Sequence, residues 1–265
     1  MKLLTCNIGY LLGYQNVLWG YAPPPVSSLI GDADRERRKL EQLLSVIDAE
    51  RPDVVSLLEV DQGSHRTATD GQFRALVESL RAQGHPYQGT VANKYSDSAL
   101  IDSVPFYGQL GNAVLTRTET VTGSSANLRT HYLSVGRKRL VIEREITSDT
   151  VLFVVHLSLG SQSRSRQLAE LAELVLDRAN GRDVVVTGDF NTFDGTDDLE
   201  RFAERVGLEK QTPGETIPAR PLDEWFIDSR SLDLFFCPPS LDIERCDVLD
   251  VQVSDHRPIV LEIAQ

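Results

Sequence analysis

Seven places in this 265-residue chain set polar side chains at expected strand ends or inside a short apolar strand: Asn7, Glu59, His156, Asp189, Asn191, Asp233 and the pair Asp255-His256. The clearest is Val184-Val185-Val186-Thr187-Gly188-Asp189-Phe190-Asn191. Its β-branched run reads as a buried strand, and Gly188 frees the backbone to turn. Period-2 alternation then sends Asp189 and Asn191 to one side and Phe190 to the other. An anionic acceptor and a neutral amide aimed at one point can orient an attacking water and hold a phosphoryl oxygen. A strand ending in an Asx turn accounts for the same two residues equally well.

The remaining polar strand ends decide between the two. A lone Asp or His in such a place is usually a cap or a buried hydrogen-bonded group; the recurrence along one chain favours a shared site. The residue types fit one chemistry. Asn7, Glu59 and Asp255 offer hard oxygen ligands, suited to Mg²⁺ or Mn²⁺ rather than zinc. His156 and His256, on separate strand ends, can stabilise developing negative charge or shuttle protons. Asp233 can hydrogen-bond His256 and fix its tautomer. Phosphate esters hydrolyse very slowly unaided, so charge neutralisation by a metal is the expected device.

The elements that must position these groups follow from pattern. Strands are expected at Lys2–Ile8, Val54–Leu58 with Glu59 at its end, Asn112–Thr116, 119–128, 131–135, 139–146, 150–155, Val184–Thr187, 232–236, 244–250 and 258–263. Helices are expected at 35–50 behind an Asp34 cap, 71–83, 163–179 with Leu168, Leu171, Leu174 and Val175 inward, and 197–206. The Arg35–Lys39 cluster, Arg164 and Arg166 read as solvated helix faces. Residues 84–110 have poor periodicity, 212–223 read as a Pro-rich loop, and 112–155 as antiparallel strands joined by short turns. Mixed strands and helices without regular βαβ alternation predict an α+β sandwich, two sheets face to face with helices outside, in a single domain over 1–265.

Composition is that of a globular protein, 41% hydrophobic and 25% charged. With 27 basic and 39 acidic side chains the net charge is −12, a field that disfavours broad non-specific duplex binding but can be reversed locally by a divalent cation. Cys6, Cys237 and Cys246 match no zinc spacing, and Cys6 and Cys237, in apolar strand-like surroundings, read as buried free thiols, which favours a reducing, cytoplasmic setting. The first residues read as a strand rather than a leader, because Asn7, Gly9 and Gly13 interrupt the apolar run. No apolar run approaches the roughly 20 residues of a spanning helix.

In order along the chain, Leu4-Thr5-Cys6-Asn7-Ile8, Leu58-Glu59-Val60, Gly111-Asn112-Ala113-Val114-Leu115, Val155-His156-Leu157, Gly188-Asp189-Phe190-Asn191, Leu232-Asp233-Leu234-Phe235 and Ser254-Asp255-His256-Arg257-Pro258 resemble the endonuclease/exonuclease/phosphatase superfamily of metal-dependent phosphoesterases. The resemblance implies a four-layer α/β/β/α sandwich with two mixed sheets and the site at one edge between them. It implies Glu59 as the main metal ligand with Asn7 and Asp255 nearby, and Mg²⁺ or Mn²⁺ as the ion. Asp189 would activate water, Asn191 would hold the phosphate, His256 paired with Asp233 would stabilise the scissile group, and Asn112 would contact substrate. His156 matches the deoxyribonuclease-, sphingomyelinase- and inositol-phosphatase-like branches. Leu58 replaces the family's usual glutamine beside the metal glutamate, which marks a divergent subgroup.

Specificity is less determined. Arg66 can clamp a phosphate or headgroup oxygen, or pair with Asp61 or Asp70 on the surface. Asn93-Lys94-Tyr95 is a weaker candidate contact. The aromatic, Pro-rich 10–34 segment can line a cleft, touch a membrane surface or cover the core. The expected partner is a phosphate ester: a phospholipid headgroup, a small ester or nucleic acid. No obligate protein partner is evident. A non-catalytic phosphate- or nucleic-acid-binding module on the same fold is the alternative, opposed by the presence of every catalytic residue type; a metal-stabilised structural domain is a third.

Overall fold

The computed structural model describes residues 1–12, 32–64, 67, 71–94, 110–117, 123–128, 139–193, 195–219 and 228–264. The expected strand at 131–135, Arg66, Tyr95 and most of the 10–34 segment lie outside them.

Two six-stranded sheets face each other. One is built of β1 (Lys2–Asn7), β2 (Val54–Asp61), β3 (Gln88–Asn93), β4 (Leu110–Thr116), β11 (Ile243–Val248) and β12 (Ile259–Ile263), in the order β11-β12-β1-β2-β4-β3. The other holds β5 (Gly123–Leu128), β6 (Arg139–Glu145), β7 (Thr150–His156), β8 (Asp183–Asp189), β9 (Glu209–Gln211) and β10 (Asp233–Cys237), in the order β5-β6-β7-β8-β10-β9. Each sheet has one parallel pair at its centre, β1 with β2 and β7 with β8, and the other pairs are antiparallel. The strands α1 (Ala33–Glu50), α2 (Gln72–Ala82), α3 (Ser161–Ala179) and α4 (Asp197–Val206) cover are buried on both faces, which is why they read as continuous apolar runs.

Three apolar clusters define the layers. Leu43, Ile47, Leu76 and Leu80 of α1 and α2 pack on Leu4, Cys6, Val55 and Leu57. Leu168, Leu171, Val175 and Phe202 of α3 and α4 pack on Val151, Phe153, Val184 and Val186. Between the sheets lie Leu3, Val54, Leu58, Val114, Val154, Val185, Phe235 and Ile259. Burying each such side chain contributes roughly 1.5–3 kcal/mol. The four-layer α/β/β/α sandwich is therefore the observed architecture.

Several local expectations are corrected. Helix α1 is capped by Asp32, whose carboxylate accepts the N–H groups of Asp34 and Arg35, so Asp34 lies in the first turn. In the Arg35–Lys39 cluster, Lys39 is buried and donates its ammonium to the Gln252 carbonyl at 2.6 Å, and Glu36 is buried beside it. Strand β3 arises in the 84–110 stretch of poor periodicity, because it is an edge strand that needs little apolar patterning. The short β9 was likewise unannounced. The 112–155 run is split: β4 joins β2 and β3, while β5, β6 and β7 build the opposite sheet.

Gly188 shows why this sequence needs glycine at one point. Its φ is 140°, and a Cβ there would stand 1.8 Å from the Val155 carbonyl oxygen of the neighbouring strand. Gly188→Ala must push β7 from β8 directly beneath Asp189; the expected loss is roughly 1–3 kcal/mol of stability, read from denaturant melts.

At the opposite end of the sandwich Glu50 accepts hydrogen bonds from Arg245 and Lys2. Burial alone would raise its carboxyl; the two cations outweigh that and hold it below the ordinary glutamate value. A depressed folded-state pKa stabilises above the unfolded value, and the gain is lost as pH falls through the folded one. Glu50→Gln should therefore cost stability at neutral pH and progressively less as pH drops through the acid range, measured by parallel melts.

Candidate active site

Register and alternation assemble the site. Strands β7, β8 and β10 lie side by side, with His156 opposite Asp189 and Asp233 opposite Asp189. Val154, Val185 and Phe235 share the parity of these three residues and belong to the inter-sheet core. His156, Asp189 and Asp233 thus form one row facing the other sheet. From that sheet, Leu3 and Asn7 share a face on β1, and Val114 and Asn112 share a face on β4. Thr5 Oγ1 meets Thr187 Oγ1 at 3.0 Å across the gap, and one step along the same rows Asn7 Nδ2 donates to Asp189 Oδ2 at 3.0 Å.

Glu59 reaches the site by a different device. It lies inside β2, not at its end, at a bulge where the pairing with β4 shifts between Leu57 and Val60. Val55 and Leu57 face the helices before the bulge, and Val60 faces them after it, so the parity flips. Glu59 takes a left-handed φ of 56° and donates its backbone N–H to Asn112 Oδ1 at 3.3 Å.

The Asx turn is realised at Asp189-Phe190-Asn191, and it engages only one of the two Asp189 carboxylate oxygens. Asp189 Oδ1 accepts the Asn191 backbone N–H at 2.9 Å, an Asx turn, while Oδ2 is the atom that meets Asn7. Phe190 points away, packing against Phe236 with ring centroids 5.1 Å apart. Asn191 has a φ of 54° and donates Nδ2 to the Leu157 carbonyl at 2.8 Å.

His256 donates or shares Nδ1 with Asp233 Oδ2 at 2.7 Å, which turns Nε2 toward Asp189 Oδ2, 3.9 Å away. His156 Nε2 lies 3.6 Å from Asp189 Oδ2 and 4.0 Å from Glu59 Oε1, close enough for charge interaction and too long for hydrogen bonds. Burial pushes the Asp189 carboxyl up to about 7, reinforced by Asp233 and opposed by His256 and by the hydrogen bonds from Asn7 and Asn191. For His256 burial works against the charge, but Asp233, Asp189 and Asp255 outweigh it and hold the imidazole above its ordinary range. Asp255 is partly exposed beside this pair.

Of the residues expected at the site, Asn7, Glu59, His156, Asp189, Asp233 and His256 come together, Asn112 adjoins Glu59, Asn191 folds back on Asp189, and Asp255 lies next to His256 in the chain. Others were missed. Ser254 Oγ donates to the Asn7 carbonyl and accepts the His256 N–H at 3.0 Å, tying the His256 loop to β1. Thr216 Oγ1 accepts the N–H groups of Leu232 and Asp233, and its carbonyl accepts that of Arg257. Nothing in the 212–223 loop pattern announced it. Gln72 accepts the Asp61 N–H and donates to the Tyr10 carbonyl. Arg164 corrects an expectation: it is 2% exposed, not on a solvent face. It stands four residues before Leu168 and seven before Leu171, so the helical period itself places it inward. Asp61, weighed as a partner for Arg66, is buried and taken by Ser64 and the Gly63 N–H. Cys6 and Cys237 are buried free thiols, as expected, and Cys246 is partly buried.

The donor set fits a hard divalent cation. Glu59, Asn7 and Asp255 are oxygen donors, and the Glu59 carboxylate retains 23% exposure at the mouth. Among the described residues, Asp233 Oδ1 is buried without a hydrogen-bond partner. Asp189, Asp233 and His256 also bring ligand-type atoms within 4.8 Å of one another, but the short Asp233–His256 bond already occupies that trio internally. No described helix is long and apolar enough to cross a membrane.

Solved structures share the fold. An endonuclease/exonuclease/phosphatase family protein from Leptotrichia buccalis superposes with a TM-score of 0.70 at 18% identity, covering 100% of both chains. The human nocturnin catalytic domain with bound sulfate gives 0.67 at 20% identity, covering 100% of this chain and 93% of that one. A Bacteroides thetaiotaomicron mannosyl-6-phosphatase gives 0.69 at 16% identity, covering 100% of both. Among curated protein sequences none matches. The family model described as the Endonuclease/Exonuclease/phosphatase family spans residues 4–256, joining every strand that carries the row of polar residues, and the chain belongs to that family.

Proposed function

We propose that this protein is a divalent-metal-dependent phosphoesterase that hydrolyses a phosphodiester or phosphomonoester by in-line attack of water. Members of its family are hydrolases acting on phosphate esters. The observation that carries the reading is the in-register row His156–Asp189–Asp233 with His256 bonded to Asp233. Four acid–base groups and the buried amide of Asn7 converge where the two sheets meet.

The roles follow from the contacts. Asp189, with Oδ2 free of the Asx turn, orients the attacking water and takes its proton; its raised pKa suits a base near neutrality. Asp233 holds the Nδ1 proton of His256, so that Nε2 presents to the phosphoryl group as donor. His156 and the Asn191 amide stabilise charge on the non-bridging oxygens. Asn112 Oδ1 accepts the Glu59 backbone N–H and so positions Glu59, in addition to the substrate contact expected of Asn112. Glu59, Asn7 and Asp255 would hold Mg²⁺ or Mn²⁺, which when bound neutralises phosphate charge and polarises the phosphorus–oxygen bonds. A bound sulfate in the nocturnin domain and the phosphatase activity named for the Bacteroides protein support a phosphate-ester substrate. The acidic surface weighs against general nucleic-acid binding and toward a small ester or headgroup.

The test is a hydrolysis panel of DNA, RNA, phosphatidylinositol, sphingomyelin, inositol phosphates and bis-(p-nitrophenyl) phosphate with Mg²⁺, Mn²⁺ and chelator. Turnover of one class should require metal and vanish in Asp189→Ala; silence across the panel from folded, metal-bound protein would favour the binding-module alternative. Glu59→Ala should abolish turnover and weaken Mn²⁺ binding by calorimetry while leaving the melt intact; undiminished metal affinity would remove Glu59 from the ligand set. Asp233→Asn should lower kcat by roughly 10²- to 10⁴-fold with little change in KM, since the imidazole loses its tautomer and orientation. Wild-type kcat in that variant would dissolve the pairing.

A further inference from the structure

The loop after β7 starts directly from His156 and the loop after β8 carries Asn191, and a carbonyl of each meets one buried side chain. Arg164 Nη1 donates to the Asn191 carbonyl at 2.8 Å and to the Leu159 carbonyl at 3.1 Å. A guanidinium cannot shed its charge, so burying it to 2% exposure is costly without such partners. One turn along α3, Gln167 is fully buried; its Oε1 accepts the Ser158 N–H at 2.9 Å and its Nε2 donates to Ser158 Oγ at 3.0 Å. Asn191 Nδ2 closes the set on the Leu157 carbonyl at 2.8 Å. Residues 157–159, directly after His156, and residue 191 are therefore held to the same face of α3.

Asn191 needs the support. Its φ of 54° is left-handed, a region asparagine tolerates better than most residues but that still needs its surroundings to hold it. The backbone flip that puts it there also turns its carbonyl inward, where a donor must meet it. Lysine would bring a point charge on a flexible stem; the rigid guanidinium aims a single nitrogen, Nη1, at two carbonyls from different loops.

We propose that Arg164 is a positioning residue for Asn191 and, through the Leu159 carbonyl, for the loop behind His156: it fixes the spacing between the two groups that face the phosphoryl oxygens. The inference rests on the phosphoesterase reading for its catalytic half and on the hydrogen bonds alone for its structural half. A side chain that merely filled the core would lower stability without coupling to Asn191.

The experiment separates the two halves. Amide hydrogen exchange is followed in wild type, Arg164→Met, Arg164→Lys and the exposed control Arg166→Met, and steady-state kinetics on bis-(p-nitrophenyl) phosphate with Mn²⁺ are measured for each, alone and combined with Asn191→Ala. Exchange at the Asn191 amide should rise at least roughly tenfold in Arg164→Met and stay at the wild-type rate in Arg166→Met. Unchanged exchange overturns the brace whether or not the enzyme turns over. Arg164→Met should cost roughly 10- to 100-fold in kcat with KM near wild type, and less than about twofold once Asn191 is already alanine. Additive losses overturn the positioning role. Arg164→Lys should recover part of kcat, and it carries the same comparison if Arg164→Met fails to fold. A wild type that hydrolyses nothing overturns the phosphoesterase reading and the catalytic half with it, while the exchange result still decides the structural half.

Discussion

A carboxylate buried to 1% exposure in the seam between two sheets must be satisfied from every side, and Asp189 organises the molecule around that requirement. One oxygen is taken by its own turn and the other by Asn7 of the opposite sheet. His156 and Asp233 flank it in register on either neighbouring strand. The Thr5–Thr187 contact one step below shows that the sheets are already docked polar against polar at this level, so the Asn7–Asp189 bond completes a ladder rather than intruding on an apolar core. The site is where the inter-sheet core runs out and hydrogen bonds take over.

Strain collects around the same seam. Among the described residues six non-glycine positions have positive φ: Tyr10, Leu11, Arg51, Glu59, Asn180 and Asn191. Arg51 and Asn180 cap helices, where a left-handed residue is the usual ending. The other four adjoin Asn7, lie in the β2 bulge or follow Asp189. Each costs on the order of 1–2 kcal/mol against ordinary backbone. Buried polar side chains on the outer helices offset that cost: Gln72 bonds the Tyr10 carbonyl and the Asp61 N–H, and Arg164 and Gln167 bond the loops after β7 and β8. Both helical layers thus do more than cover apolar surface. Each sends a polar brace through to the backbone at the seam between the sheets.

Electrostatics follow from the same burial. A chain of net charge −12 has little long-range attraction for an anionic substrate. Locally, burial disfavours charge on the His256 imidazole, the surrounding carboxylates outweigh it and shift the ring toward its charged form, and Glu59 remains at the partly exposed rim. A divalent cation at that rim would turn an acidic surface into a phosphate-binding point without any broad basic patch.

Much of this was legible from residues alone. Runs such as Val184–Thr187 and Leu3–Cys6 announce buried strands, period-2 alternation then sets Asn7, Asn112, His156 and Asp189 on defined faces, and the helical period sets Leu168, Leu171 and Val175 inward. These follow from local backbone geometry, which every residue carries with it. What only the tertiary structure decided is which faces meet. The β2 bulge that turns Glu59 into the seam depends on pairing with β4, so no pattern within Val54–Asp61 predicts it. The split of β4 and β5 between opposite sheets depends on long-range partners. Thr216 and Ser254 act through hydrogen bonds to segments distant in the chain. Arg164 is the instructive case: its charge suggested solvent, and its place in the helical period pointed inward. The carbonyls of Leu159 and Asn191 settle it, because they give a buried guanidinium the partners that neither composition nor periodicity can supply.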